Sequence, residues 1–445
     1  MGGLRHPQGW ILTITLTLAL ALSRTAAAQH TIIQVDGTLN VGYTQITRGT
    51  FQADPNADKA DIPDSTLGGL FTEFRPGISL QTGSPRLTWR AGYVFAGNLS
   101  LTGEQLGSYN NQGNASLAAE LTKYTTLTLA TSLAQGGSSF LLAQRPADAG
   151  QPELRAPDSP NLVSASLVES LAWEVGRHTT VQHSLIANAS APQDDFAQRN
   201  SAVTATPSLD RVFERDTYGA QATASVSWLR PLRADLAPYS SLSNAVVARW
   251  NHDFSINWNG LATAGVEQVY TDSGSKPLAF LPTGSATLRY SGYNSVGAVD
   301  VSHGTATNLQ VGAVSLTDKV TVRGIFTLDP RVMRVLSFSA GFLHNQPLGE
   351  VDALVAAATG NAFQGDVGFT TAIKENVVAS ARYSIAYQFD QGGGLEPTLA
   401  HIFFLGVTAT YKNTEKPIRA LPARGQRVDQ SDAEGFPVVE DAPTP

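Results

Sequence analysis

Cysteine is absent from this 445-residue chain, which excludes disulfides, thiolate metal sites and a lipid-modified N-terminal cysteine. Charge is scarce too. Asp, Glu, Lys and Arg supply 15% of residues, against the roughly 25% usual in soluble domains. The net charge is −7, and no basic cluster with interleaved aromatics occurs, so a nucleic-acid binder is excluded. Beyond the N-terminal segment no apolar run reaches the roughly 18 residues of a spanning-helix candidate. Convincing amphipathic helices are missing as well. Two fates remain for such a chain: secretion as a soluble protein, or insertion as a closed β-barrel.

Residues 1–28 read as a secretory signal. Arg5 and His6 open it, Ile11 to Leu22 is apolar, and Ala26-Ala27-Ala28 is a small-residue cleavage pattern, with the cut after Ala28. The apolar run is about half the roughly 20 residues that a spanning helix needs.

What the rest of the chain has in abundance is two-residue alternation. Leu87, Trp89, Ala91, Tyr93 and Phe95 share one face, with Arg86, Thr88, Arg90, Gly92 and Asn98 on the other. The segments 218–228 and 377–389 alternate in the same way. Short connections fall near 83–85, 123–125, 176–178, 230–232, 251–253, 291–293, 329–331 and 374–376. Longer ones fall near 45–65, 100–111, 136–159, 190–214, 235–241, 272–279, 304–318, 345–361 and 390–398. The two kinds alternate, as short periplasmic turns and longer extracellular loops do in an outer-membrane barrel. The expectation is an all-β, antiparallel, up-and-down transmembrane β-barrel of about 18 strands, within a range of 14–18. Its domains are a signal peptide at 1–28, the barrel at 29–412 and a disordered periplasmic tail at 413–445, rich in Pro.

The tryptophans support that orientation. Trp89, Trp173, Trp228, Trp250 and Trp258 each lie beside an expected short turn, as an aromatic girdle at one membrane–water interface would.

Residues 29–412 resemble bacterial outer-membrane β-barrels of porin-like size. In the last strand, His401–Tyr411, the residues Gly406, Ala409 and Tyr411 resemble the C-terminal signal read by the barrel-assembly machinery. The likeness implies an integral outer-membrane protein whose partners are outer-membrane lipid and that machinery, with no cofactor. It leaves three functions open: a porin-like channel passing hydrophilic solutes, a barrel component of polysaccharide or polymer export, and a non-conducting surface-binding barrel. For export, the tail would dock periplasmic export proteins, and aromatic and polar side chains would track the lumen. With the first strand expected to begin at about His30, no plug domain or energy-coupling box is expected. A porin's constriction loop would be 136–159 or 190–214.

Inward positions would carry the permeation chemistry. Asp36, Asn40, Arg86, Arg90, Glu120, Gln221, Asn257, Asn259, Glu267, Arg289, Arg323, Asp366 and Arg382 are expected in the lumen. Both signs occur, with no ladder of one sign. Glu169 falls between Leu167 and Leu171 on the lipid face, so a bulge or a position near the rim is expected there. Asp54, Asn56 and Asp58 are spaced like calcium ligands, but Lys59 and Ser65 stand where an EF-hand needs Gly and Glu, so an acidic surface loop is expected and no metal. No enzyme is expected either. Alternation puts His303 on the face opposite Asp300 and Ser302, which dismantles the one Ser–His–Asp grouping.

Overall fold

The computed structural model describes residues 30–48, 65–84, 86–102, 108–136, 162–193, 195–230, 237–272, 278–309, 313–348, 361–388 and 398–413. The signal segment, the tail after Asn413, the Asp54–Asp58 loop and most of 136–159 lie outside them. Within them, alternating sequence forms eighteen strands. They are β1 (His30–Arg48), β2 (Ser65–Ser84), β3 (Leu87–Ser100), β4 (Ser108–Thr122), β5 (Thr125–Gly136), β6 (Leu162–Gly176), β7 (Thr179–Pro192), β8 (Asn200–Val212) and β9 (Asp216–Leu229). There follow β10 (Tyr239–Asp253), β11 (Trp258–Thr271), β12 (Leu278–Ser291), β13 (Ser295–Asn308), β14 (Ala313–Asp329), β15 (Arg334–Pro347), β16 (Asn361–Lys374), β17 (Val377–Gln388) and β18 (Thr398–Lys412).

Each strand pairs antiparallel with its sequence neighbour, and β1 pairs with β18, from Gln34↔Lys412 to Thr47↔Leu399. The sheet closes and leaves no edge. Strands run from 12 to 20 residues. A bilayer needs only about 9–11, so the surplus projects beyond it.

The pairings fix which face each residue presents. Leu39 pairs with Val407 and Phe74, so all three share one face with Leu405, Val246 and Val266 farther round. These side chains are exposed, Leu39 by 56% and Val246 by 62%. A soluble barrel would not present such a surface to water. The opposite face carries Thr38, Thr408, Ser285, Ser225 and Asp366, and it encloses the lumen. Hydroxyls bridge neighbouring strands there: Ser132 to Ser166 at 2.7 Å, Thr204 to Ser225 at 2.9 Å and Thr263 to Ser285 at 2.9 Å.

The strand number agrees with the sequence expectation, but two errors cancel in it. The expected loop 190–214 contains β8. The expected turn 230–232 and loop 235–241 belong to one connection, between Leu229 and Tyr239. Pro207 disguises β8. It has no N–H to give, and the β8–β9 ladder skips from Ala205↔Ala224 to Ser208↔Gln221. The true short turn is at 213–215, where Phe213 donates its N–H to Asp216 O at 2.7 Å.

Trp228 therefore sits at the loop-side end of β9, not in the short-turn girdle. Trp173, Trp250 and Trp258 do lie at the short-turn ends of β6, β10 and β11. Trp250 donates to Asp216 at 2.9 Å and stacks on His252, while Trp258 meets Tyr290 at 5.0 Å. Lys123, in a neighbouring short turn, lies over the Tyr124 ring, and its hydrogen bond to Tyr124 raises the ammonium above the ordinary lysine value. Trp89 is at the same end but is buried, 6% exposed.

Candidate functional site: the lumen and its inward hairpin

The inner wall is polar, and several of its charges come in pairs. Arg382 on β17 grips Asp366 on β16 through Nε at 2.7 and 2.9 Å and Nη2 at 2.7 Å, while the Ser384 hydroxyl donates to the same carboxylate at 2.6 Å. Arg249 on β10 reaches Asp210 on β8, two strands away, at 3.2 Å. Arg323 on β14 lies 3.8 Å from Asp300 on β13, which also accepts from Thr287 at 2.8 Å. On β2, Arg75 lies 3.5 Å from Glu73, whose other oxygen accepts from Asn40 at 3.1 Å. Opposite charges held this close cancel at a distance, so these pairs offer little net field to a passing ion.

Most of the residues expected in the lumen face it. Asp36 accepts from Gln34, Asn259 donates to Asn251 and Asp253, and Gln221 reaches Thr223. Arg90, Glu120 and Arg289 lie on the inward positions of β3, β4 and β12. Arg86 is in the β2–β3 turn, at the short-turn rim. Asn257 is a correction: it lies in the β10–β11 turn, where its carbonyl accepts from Ser291 N–H at 2.8 Å. Glu73, Arg75, Asp210, Arg249 and Asp300 are missing from the expected set. Strand parity alone would have supplied all of them except where Pro76 and Pro207 interrupt the pattern.

A second feature closes down the loop-side half. The β12–β13 ladder runs from Ser291↔Val296 only as far as Gly284↔His303. Above it β13 leaves the wall, still paired with β14 through Asn308↔Ala313. The departure happens at Gly304, where a Cβ would stand 2.7 Å from Thr283 Oγ1. The next residue, Thr305, gives its N–H to Glu267 at 3.1 Å and its hydroxyl to the same carboxylate. Ser243 on β10 donates to Glu267 as well. Farther along, Thr307 meets Ser227 on β9 at 3.3 Å, and Leu309 O accepts from Asn200 on β8 at 2.7 Å. Asn200 in turn accepts from Arg230 N–H at 2.5 Å.

β8 and β9 are far from β13 round the wall, so these bonds place the β13–β14 end inside the mouth. Burial follows the same contour: Ser227, Leu229, Ser241, Glu267, Val269, Val314 and Ser315 are 1–6% exposed. The narrowing element is thus β13–β14. Of the two stretches expected to narrow the pore, 190–214 contains β8 and 136–159 lies mostly outside the described residues.

Gly406 and Ala409 hold inward and outward positions of β18, and Tyr411 is 69% exposed near its short-turn end. Among the described residues no group of three or more His, Asp or Glu could hold a metal ion.

No family model matches the chain, and no curated protein matches it. Solved structures do resemble it. A BenF-like porin from Pseudomonas fluorescens Pf-5 shares 12% identity at a TM-score of 0.41, over 85% of this chain and 99% of that one. OpdK from Pseudomonas aeruginosa, solved with vanillate, shares 11% at 0.41, over 85% and 98%. A ferric enterobactin receptor from Pseudomonas aeruginosa, PfeA, shares 9% at 0.39, over 85% and 80%. Likeness this distant, to porins and to a receptor alike, assigns no family and no cargo.

Proposed function

We propose that this chain is an outer-membrane channel for small hydrophilic solutes, weakly selective for charge and narrowed near its extracellular mouth by the β13–β14 hairpin. The observation that carries this reading is the inner face itself: a closed 18-strand wall lined by hydroxyls and by several acid–base pairs. Barrels of 16–18 strands leave an aqueous lumen unless something fills it. Paired charges keep the wall wet without favouring one ion sign.

Polymer export finds less support. Among the described residues the inward aromatic rings are Phe71, Phe404 and Tyr239, all toward the loop side, and they form no track along the lumen. Phe71 and Phe404 meet edge-on at 5.7 Å and, with Ile402, form one compact apolar patch.

Planar-bilayer recording of the purified barrel tests the proposal. Expected are stepwise openings that pass small neutral sugars in vesicle-swelling assays, with a reversal potential near zero in a KCl gradient. A folded, inserted barrel that never conducts would overturn the reading. Glu267→Ala tests the narrowing. Hydrogen bonds to a charged acceptor contribute about 1.5–3 kcal/mol each, so losing those from Thr305 and Ser243 should free the hairpin and raise unit conductance. Unchanged conductance would show that the hairpin does not set the bore.

A further inference from the structure

Titratable side chains do appear on the outer face of the described strands, most of them off centre toward one end of their strand. His303 with Asp318, His344 with Asn361 and His401 with Tyr383 lie toward the loop side. His252 and Arg211 lie at the short-turn side. Glu169 breaks the pattern, and His183 is the base beside it. Glu169 is the central residue of β6, and its pairing with Leu129 and Leu185 fixes it outward among Leu167 and Leu171. No bulge displaces it, because the β6–β7 irregularity is at Glu174/Gly176. His183 Nδ1 lies 3.8 Å from the Glu169 carboxylate, their side chains 44% and 28% exposed. That separation is too long for a hydrogen bond.

Ionisable residues at membrane depth face protein or a water-filled cavity, because lipid satisfies neither of their hydrogen-bonding needs. Here the water-filled side is the other face of the sheet. What remains is protein. The pair's own outward neighbours are Leu129, Leu167, Leu171, Leu185 and Pro207, and beyond them lie small side chains: Ala187 and Ala189 on β7, Ala205 on β8, and Ala220, Ala222 and Ala224 on β9. Small side chains let another backbone come close.

We propose that the outer face of β6–β9, centred on Glu169 and His183, is an interface with a second copy of this chain. The patch is self-complementary. It carries one acid beside one base, so a copy related by a two-fold axis along the membrane normal brings His183 of each barrel toward Glu169 of the other. Each carboxylate then gains a donor, and the pair leaves lipid.

The chain has no cysteine, so a single introduced thiol reports on this face alone. Ala187→Cys should form disulfide-linked dimers on mild oxidation in native outer membranes, and Leu405→Cys, on the far wall, should not. Native mass spectrometry from lipid nanodiscs should give two chains for the unaltered protein. The double variant Glu169→Leu/His183→Leu should lower the dimer fraction at least about tenfold, while heat-modifiable migration on gels confirms that it folds. A single-chain mass for the unaltered protein, equal cross-linking at both positions, or trapping of a different protein at Ala187→Cys would each overturn the proposal. Conductance does not enter any of these readouts, so a silent barrel would leave the interface standing.

Discussion

Two hairpins of this barrel carry the same device on opposite faces. In β16–β17, Asp366 pairs with Ser384, and Arg382 stands two positions nearer the turn, opposite Gly368. In β6–β7, Glu169 pairs with Leu185, and His183 stands two positions nearer the turn, opposite Leu171. Acid and base therefore hold one diagonal relation in both. The first pair faces the lumen and closes to 2.7 Å, with a serine hydroxyl added. The second faces outward and stops at 3.8 Å. Strand parity alone decides which medium each pair meets. Inward, water and hydroxyls complete the coordination. Outward, none of the described residues does, and that shortfall marks the outer pair as an unfinished contact.

Breaking the inward pair should cost the most. Arg382→Ala leaves the Asp366 carboxylate, whose side chain is 10% exposed, with the Ser384 hydroxyl as its remaining donor among these groups. Removing one partner of a buried pair costs about 3–5 kcal/mol. The wet lumen puts this case at the low end, about 3 kcal/mol, read as a shift of the urea unfolding midpoint in lipid vesicles. A loss below about 1 kcal/mol, the range of exposed pairs, would show that water already screens the bridge.

The outward pair should respond with the opposite sign. In detergent that separates the barrels, Glu169→Leu/His183→Leu removes polarity from an apolar surface. An acid on the lipid face costs on the order of 1–2 kcal/mol, so the isolated barrel should gain about 1 kcal/mol. Destabilisation of the separated barrel by this change would mean that the pair braces its own hairpin, and the contrast between the two hairpins would collapse.

The same parity explains what was legible in the sequence. The sheet, its closure and the inward set around Asp366 and Arg382 follow from alternation, because one face meets lipid and the other water along every strand. Proline blurred the pattern. Pro207 removed a donor from the middle of β8, and that strand looked like loop. Glu169 was placed on the correct face, yet a bulge or the rim was expected, since one barrel considered alone gives a central charge no other refuge. Trp228 fell on the wrong side with the misplaced turn. The inward hairpin was beyond reach for a different reason. Glu267 to Thr305, Ser227 to Thr307 and Asn200 to Leu309 are bonds between strands that do not neighbour each other, and periodicity speaks only of adjacent ones.

The smallest effect belongs to a stretch of inner wall that carries no ion pair. Across β5 and β6 the lumen face is Thr128, Ala130, Ser132 and Ser166, Val168, Ser170, and its one bridge is the 2.7 Å contact between Ser132 and Ser166. Cross-strand hydroxyl pairs contribute roughly 0.2–1 kcal/mol. Replacing both partners leaves no orphaned donor, so Ser132→Ala/Ser166→Ala should shift stability by about 0.5 kcal/mol and leave ion preference unchanged. The inner surface of β6 would then be shown to hold no charge relay that the outer Glu169 could serve. A large loss, or a shift in reversal potential, would instead tie the two faces of that hairpin together.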